Sequence, residues 1–165
     1  MSATTLAPLT AEERQRCTDL LFHEARLLDR RAYAEWLDLL DDEIIYWVPL
    51  GETYRDPDAE LNIAYDDRTR LEARVERLTS GMAWAQSPPS RTARLVSNVV
   101  VVRTASGYAS EATFVLYELR NGETQILAGR FLHELVARGG NLKIRRKTIE
   151  LVTRTEPLFN VSFIL

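Results

Sequence analysis

The sequence has few of the side chains that bind metal ions or form disulfides. Its 165 residues include one cysteine, Cys17, and two histidines, His23 and His133. One cysteine excludes an internal disulfide, a multi-cysteine zinc site and a Rieske cluster, which takes two cysteines and two histidines. A non-haem iron triad would use both histidines and a carboxylate, and their sequence spacing does not suggest a metal pair. We therefore expect no metal or cofactor on this chain and a core position for Cys17.

Several other features are missing. Lysine and arginine number 21 against 24 aspartates and glutamates, so the net charge of -3 offers no basic excess for nucleic acid or anionic lipid. No apolar run approaches the roughly 20 residues of a membrane span, and phosphate-binding glycine loops and the GxSxG turn are absent. The start, MSATTLAPLT, lacks the features of a signal peptide. We expect a cytoplasmic protein that binds neither nucleic acid nor membrane.

Two consecutive prolines, Pro88 and Pro89, divide the chain into unlike halves. Each disfavours helix in the residue before it, so no helix crosses this point. Apolar residues recur at helical spacing before the prolines, and β-branched runs follow them. The sequence therefore predicts one α+β domain over residues 1–165. It has a disordered lead (1–9), a mainly helical part with one short strand (10–82), and a sheet with an apolar tail (90–165).

Three helices are predicted before the prolines. Thr10 and Glu13 form a capping box that opens the first helix. A second, shorter helix leads into a strand that Pro49 stops, and residues 51–62 follow as an exposed polar loop. Asp66 and Asp67 suit the first turn of a third helix. The apolar stripe of that helix is Leu71, Val75, Leu78 and Met82, with Gly81 as its C-terminal cap.

Four strands are predicted after the prolines. Asn121-Gly122 is a strong hairpin signal because both central residues of a type I′ turn take positive φ, and Gly129 marks a candidate bulge. We expect a meander of long antiparallel strands that curls around the helices into a cone. Four consecutive valines, 99–102, put two side chains on each face of a strand. The fold covers one face, which leaves the other for a partner.

The C-terminal segment is strongly apolar. It contains Leu158, Phe159, Val161, Phe163, Ile164 and Leu165. If exposed, such a segment would promote aggregation. We expect it to be buried, either along its own sheet or against another subunit, and we expect the chain to self-associate.

Three stretches carry a family resemblance. They are EARLLDRRAYAEWLDLLDDEIIYWVP, YDDRTRLEARVERLTSGMAWAQSPPSRTARLVSNVVV and LKIRRKTIELV, and they span nearly the whole chain. The most specific part is GMAW…PPSRT…LVSNV. The sequence resembles the small (β) subunit of aromatic-ring-hydroxylating dioxygenases, which are Rieske non-haem iron oxygenases.

The resemblance implies a cone-shaped α+β fold of the nuclear transport factor 2-like (cystatin-like) type. It implies an α subunit partner that carries the Rieske [2Fe-2S] cluster, the mononuclear Fe(II) and the substrate pocket, in an α3β3 assembly with a homotrimer of β subunits. That α subunit would cis-dihydroxylate an aromatic substrate in aromatic-compound catabolism. This chain would be a structural subunit without a catalytic residue.

Candidate interface residues follow from the matching motifs and the apolar tail. They are Trp47, Pro49, Tyr65, Asp66, Asp67, Arg68, Ser90, Arg91, Thr92, Arg94, Phe163 and Leu165. Tryptophan, tyrosine and arginine are enriched at interface centres. The alternative is a role inside the fold, with Trp47 in the core and Arg91 and Arg94 paired to acids of the same chain.

A second class of function stays open on the residues alone. A curled sheet over helices can enclose a pocket, in which Asp41 or His133 would act as general base and Tyr46 or Tyr117 as hydrogen-bond donor. The chain would then be a stand-alone isomerase or dehydratase, or a ligand-binding module of the same fold. This hypothesis predicts a closed, polar-lined pocket inside the cone.

Overall fold

A computed structural model describes residues 7–156 and 161–165. Its elements, in chain order, are α1 (Ala11–Asp29), α2 (Tyr33–Asp38), β1 (Leu40–Pro49), β2 (Asn62–Asp66), α3 (Arg68–Thr79), a 3₁₀ turn (Trp84–Gln86), β3 (Arg91–Thr104), β4 (Gly107–Arg120), β5 (Glu123–Arg138) and β6 (Asn141–Leu151). Residues 1–6 of the predicted lead, and Leu158 and Phe159 of the predicted tail, lie outside the described residues. None of the described helices is long and apolar enough to span a membrane.

The six strands form one sheet in the order β2-β1-β6-β5-β4-β3. Neighbouring strands are antiparallel except β1 and β6, which run parallel. The meander β3 to β6 therefore returns the chain to β1, and the earlier strands extend the sheet beyond it. Helix α1 packs against β3, and α3 packs against β1 and β2. We call the helix-covered side of the sheet the inner face and the opposite side the outer face.

Local sequence signals explain where α1 begins and where the chain turns between β4 and β5. The Glu13 amide donates to Thr10 Oγ1 at 3.1 Å, and the Thr10 amide donates to Glu13 Oε2 at 2.9 Å, which is the predicted capping box. Asn121 and Gly122 have φ of 53° and 78°, as a type I′ turn requires. The predicted helices and the four strands after the prolines are thus present with small shifts of their ends.

The predictions for residues 51–82 need correction. A second strand, β2, pairs with β1 directly before α3, although its sequence NIAYD is short and only half apolar. This segment has little intrinsic preference for strand, and it forms one because its backbone pairs with the edge of β1. Helix α3 ends at Thr79, so Met82 is not on its apolar stripe and is 70% exposed. Gly81, with φ of 74°, follows the capping residue and takes the left-handed conformation expected of it.

The predicted bulge at Gly129 is also wrong. Gly129 pairs in regular register with Phe114 and Leu151, and a Cβ atom there would lie 1.9 Å from the main-chain oxygen of Glu150. Glycine is needed because the β6 backbone approaches closely. The bulge of the adjacent hairpin lies in β3 between Ser97 and Val100, where Asn98 has φ of 52°.

The core lies between the helices and the inner face of the sheet. Trp36, Cys17 and Phe114 are fully buried there, and the Phe114 and Phe131 rings stack with centroids 3.9 Å apart. Burial raises the pKa of the Cys17 thiol to about 11, as suits the predicted core position. The described end of the tail, 161–165, packs into this same core, so it is buried within its own chain, although it does not pair along the sheet as a strand.

Candidate functional site

A row of polar side chains crosses the apolar inner face. Register pairs Asp66 of β2 with Tyr46 of β1, Tyr46 with Lys147 of β6, Lys147 with His133 of β5, and His133 with Ser110 of β4. Each of the five residues is buried. We call this set the polar row. Residues directly opposite each other in a sheet share a face, so five strands present these groups at one level of the cone.

Glu24, in the middle of α1, ties the helix to the polar row. Its Oε1 accepts from Trp36 Nε1 at 3.1 Å and from Lys147 Nζ at 3.0 Å. Its Oε2 lies 3.0 Å from His133 Nε2. A buried carboxylate is tolerable because three partners replace the water it has lost.

The electrostatics of this cluster follow from burial and pairing. Burial alone would raise the pKa of Glu24, but the charge of Lys147 and the hydrogen bond from His133 outweigh it, so the pKa lies below its ordinary value. Burial lowers the pKa of Lys147, and Glu24 opposes that shift. Burial raises the pKa of Tyr46. Tyr46 therefore stays protonated at neutral pH and acts as a hydrogen-bond donor.

The C-terminal segment supplies hydrogen-bond partners to Lys147 and Tyr46 of the polar row. Lys147 Nζ donates to the main-chain oxygen of Leu165 at 2.9 Å, and Tyr46 Oη donates to the same oxygen at 3.3 Å. The Leu165 amide donates back to Tyr46 Oη at 2.9 Å. Arg94 Nη2 donates to the oxygen of Ile164 at 2.5 Å. These four hydrogen bonds hold residues 164 and 165, and Ser162 of the same segment accepts from Gln86 Nε2 at 2.7 Å and donates to the main-chain oxygen of Ala85 at 3.3 Å.

Little room remains beside the inserted segment. Tyr46, Val48 and Ile63 line one side of a cavity of about 20 Å³, and residues 161–165 line the other. This volume holds about one water molecule. Of the groups proposed for a cavity enzyme, His133 and Tyr46 lie in the polar row. Asp41 pairs with Arg138 at 2.7 Å, and Tyr117 is on the outer face. The four residues proposed for a cavity enzyme therefore do not line one common site.

The outer face of the sheet carries exposed apolar side chains. Leu95 of β3 lies opposite Val115 of β4, and Tyr117 of β4 lies opposite Ile126 of β5. Val152 follows beside β5, its amide bonded to Ala128. These five side chains are 38–67% exposed, and we call them the outer apolar face. The helices lie on the other side of the sheet and give this face no cover.

The valine run extends the same surface, as its pattern predicted. Val101 is buried on the inner face and Val99 packs against the core, whereas Val100 and Val102 are 57% and 52% exposed. The bulge at Asn98 shifts the alternation by one residue, so these two valines share the outer face with Leu95.

Several predicted interface residues make contacts within the fold. Trp47 is buried, donates to Asn62 and packs edge-on against Tyr54; Pro49 is buried at the end of β1. Ser90 is buried and donates to Glu118. Phe163 and Leu165 are 6% and 1% exposed in the core of their own chain. These side chains offer little surface to a second subunit.

The charged candidates mostly join elements of the same chain. Arg94 and Thr92 of β3 both bind Asp29 at the end of α1, as the intramolecular alternative for Arg94 foresaw. Asp66 pairs with Arg74 at 2.5 Å, and Asp67 caps α3 through the Arg70 amide at 2.9 Å.

The remaining three candidates differ in exposure. Arg68 donates to Glu72 and to the oxygen of Leu37 at 2.8 Å, and Tyr65 is half-buried. Arg91 is exposed. Whether any of these residues contacts another subunit stays a prediction.

Sequence reasoning missed most of the outer apolar face and one large exposed side chain. Exposed Val115 and Tyr117 alternate with buried Phe114 and Leu116. A strand that is apolar at four consecutive positions places apolar side chains on both faces, and this pattern could have predicted the exposed pair. Trp84, 90% exposed in the 3₁₀ turn, has no periodic pattern around it that would reveal its position.

The donor groups of the chain do not fit an iron centre. Within residues 7–156 and 161–165, no three His, Cys, Asp or Glu side chains are grouped to hold a metal ion. His23 is exposed on α1, whereas His133 is buried and bound to Glu24. Neither a Rieske cluster nor a two-histidine iron site can be built from this set.

A helix packed on one face of a six-stranded, mostly antiparallel sheet is the architecture of the nuclear transport factor 2-like (cystatin-like) fold class. A solved NTF2-like protein with a cystatin-like fold from Novosphingobium aromaticivorans matches 86% of this chain and 82% of its own, with a TM-score of 0.59 and 14% identity. A naphthalene 1,2-dioxygenase structure matches more closely, with a TM-score of 0.82, 23% identity and coverage of 95% and 88%.

Sequence comparison identifies the family within this class. The family described as "Ring hydroxylating beta subunit" matches residues 23–156. The N,N-dimethyl phenylurea N-demethylase subunit beta of Sphingobium sp. (strain YBL2) is 36% identical over 88% of this chain and 87% of its own. The small oxygenase component of the p-cumate 2,3-dioxygenase system of Pseudomonas putida is 35% identical over 92% and 87%. This chain belongs to the ring-hydroxylating β subunit family, whose members are components of oxygenases.

Proposed function

We propose that this chain is the structural β subunit of an oxygenase that cis-dihydroxylates an aromatic substrate in aromatic-compound catabolism. The partner is an α subunit that holds the Rieske [2Fe-2S] cluster, the mononuclear Fe(II) and the substrate. Three copies of each chain form an α3β3 complex in the cytoplasm, with the β subunits as a homotrimer. This chain holds the complex together and contributes no catalytic group.

Membership of the β subunit family carries this proposal, and the outer apolar face supports it. Burying a large apolar side chain stabilises an assembly by roughly 1.5–3 kcal/mol. Five such side chains lie on one sheet face, and Val100 and Val102 lie on the same face further along β3, so the chain exposes apolar surface of the kind found at subunit contacts. The nearby Arg130 is paired with Glu111 and Glu150. A partner that covers this surface therefore does not bury an unpaired arginine.

Co-expression tests the proposal. The α subunit gene beside the gene for this chain is expressed alone and together with it, and soluble α subunit and oxidised product are measured. We expect soluble α subunit and activity to rise at least about tenfold with this chain, because the assembly protects α subunit surface. Naphthalene and p-cumate serve as substrates, with N,N-dimethyl phenylurea as a probe for N-demethylation, because the similar proteins differ in reaction.

Two results would contradict the proposal. An α subunit that is equally soluble and active without this chain would remove its supporting role. Iron bound at stoichiometry by the purified chain alone, with turnover of an arene, would place the chemistry on the wrong subunit.

A further inference from the structure

Two buried atoms of the polar row have no hydrogen-bond partner. They are Ser110 Oγ and His133 Nδ1, on residues directly opposite each other in β4 and β5. Ser110 and His133 are 5% and 2% exposed. Buried polar atoms are nearly always paired, and residues 161–165 form no hydrogen bond with either of these two atoms, so the segment uses only part of the hydrogen-bonding capacity of the polar row.

The contacts of residues 161–165 are those of a ligand rather than of a strand. These residues have no ladder partner in the sheet. Side-chain donors, Lys147 Nζ and Tyr46 Oη, converge on one main-chain oxygen of Leu165. Phe163, Ile164 and Leu165 are buried in the core. The segment therefore presents an acceptor oxygen to Lys147 and Tyr46 of the polar row and apolar side chains to the surrounding core.

We propose that the interior of the cone is a binding site for an apolar chain that carries a carbonyl or carboxylate oxygen, and that Val161–Leu165 of this same protein occupy it. Without that oxygen, Lys147 keeps only Glu24 as a hydrogen-bond partner and Tyr46 Oη loses its acceptor. Any molecule that restores both bonds and fills the same apolar space regains the lost stability. The residues of this proposed site all belong to this chain, so the site can be tested without an α subunit.

A full-length variant with a weakened segment tests this proposal. Ile164→Asp puts a carboxylate at a position that is 2% exposed, and Val152→Asp makes a similar change at an exposed position. We expect I164D to melt well below V152D. The peptide Val-Ser-Phe-Ile-Leu, at tenfold above its dissociation constant, then raises the melting temperature of I164D by about 4 °C. It leaves the wild-type protein unchanged because the site is already filled.

The chemistry of the oxygen is tested with two further controls. A C-terminally amidated peptide that binds as well as the free acid shows that a carbonyl suffices, whereas selective binding of the acid identifies a carboxylate site. Adding Tyr46→Phe to I164D weakens binding of either peptide by at least about fivefold, because both hydrogen bonds between Tyr46 Oη and Leu165 are lost. A folded I164D protein that gains no stability from either peptide overturns the proposal, as does an I164D protein that melts like V152D.

If I164D does not fold, hydrogen exchange on the Y46F full chain decides. The Leu165 amide donates to Tyr46 Oη, so we expect its exchange to accelerate about fivefold in Y46F while the Leu116 amide in β4 is unchanged. Equal Leu165 exchange in Y46F and wild-type protein would show that the polar row does not hold the segment.

Discussion

Glu24 and Lys147 are opposite charges buried at 2% and 1% exposure, 123 positions apart in sequence. Moving either charge out of water costs several kcal/mol, so neither is stable there alone. Each is acceptable because of the other, and because His133, Trp36 and the oxygen of Leu165 satisfy their remaining hydrogen bonds. The pair therefore specifies how α1, β5, β6 and the C-terminal segment fit together.

We expect Lys147→Met to lower the free energy of unfolding by about 3–5 kcal/mol, because it leaves the Glu24 carboxylate without its countercharge. The double variant E24Q/K147M removes both charges and should recover at least about 1 kcal/mol of that loss. Urea unfolding measures both values. Lys143→Met, at the more exposed start of β6, is the control and should change stability by less than about 0.5 kcal/mol. A double variant less stable than K147M would contradict this account.

Glu13 makes stability depend on pH at the other end of α1. Hydrogen bonds from Arg103, and next from the Thr10 amide, lower the pKa of the Glu13 carboxyl from 4.5 to about 2. Because the folded state favours the charged form, the contribution of Glu13 is complete above pH 4.5 and is lost as pH falls towards 2. In denaturant titrations, the stability difference between wild type and E13Q should shrink over this window. Glu12→Gln, in the same helical turn, is the control, and a constant E13Q difference would refute the expectation.

The elements owe their form to two kinds of cause. The start of α1 and the β4–β5 turn follow from a capping box and a type I′ turn, which involve neighbours in sequence. The strand β2 and the glycine in β5 follow from contacts between distant segments: β2 from the edge of β1, and Gly129 from the backbone of β6. Local patterns predict the first kind and miss the second.

We expect Gly129→Ala to destabilise the protein by several kcal/mol, because the new Cβ meets main-chain atoms of Glu150 that cannot move without breaking the β5–β6 ladder. Gly140→Ala is the matched control. It meets nothing within 4 Å but has φ of 84°, so only the left-handed conformation opposes it, at a cost of about 1–2 kcal/mol. Thermal unfolding compares the two, and equal losses would show that the close approach is unimportant.

The molecule as a whole has one sheet with two apolar faces. The inner face is covered by the helices and the C-terminal segment, whereas the outer apolar face is exposed. A monomer in water would leave Leu95, Ile126 and Val152 more than half exposed. This asymmetry is what makes self-association and partner binding the expected behaviour of the chain.

We expect the double variant Val115→Glu, Ile126→Glu to lower the mass of the purified protein in light scattering at micromolar concentration, because association would bury two carboxylates. Its circular dichroism should match wild type, since both positions are on the outer face. Ala34→Glu on α2 is the control and should leave the mass unchanged. A wild-type protein that is already monomeric at this concentration would contradict the prediction.

What the sequence by itself determined was the local and repetitive part of the structure. The break at Pro88 and Pro89, the helix before it, the four strands after it and the two faces of the valine run all follow from interactions over a few residues. The motif around GMAW and PPSRT also identified the family. Scarce cysteine and histidine led to the expectation that the iron is on a partner subunit, which stays a prediction.

Only the tertiary structure decided which distant residues meet. Glu24, Tyr46, Ser110, His133 and Lys147 come from five separate elements, and no spacing in the sequence relates them. The sequence likewise did not determine whether the apolar tail is buried in its own core or against another subunit. These outcomes depend on strand register and on how the sheet closes over α1, and register is a property of pairs of strands rather than of any one segment.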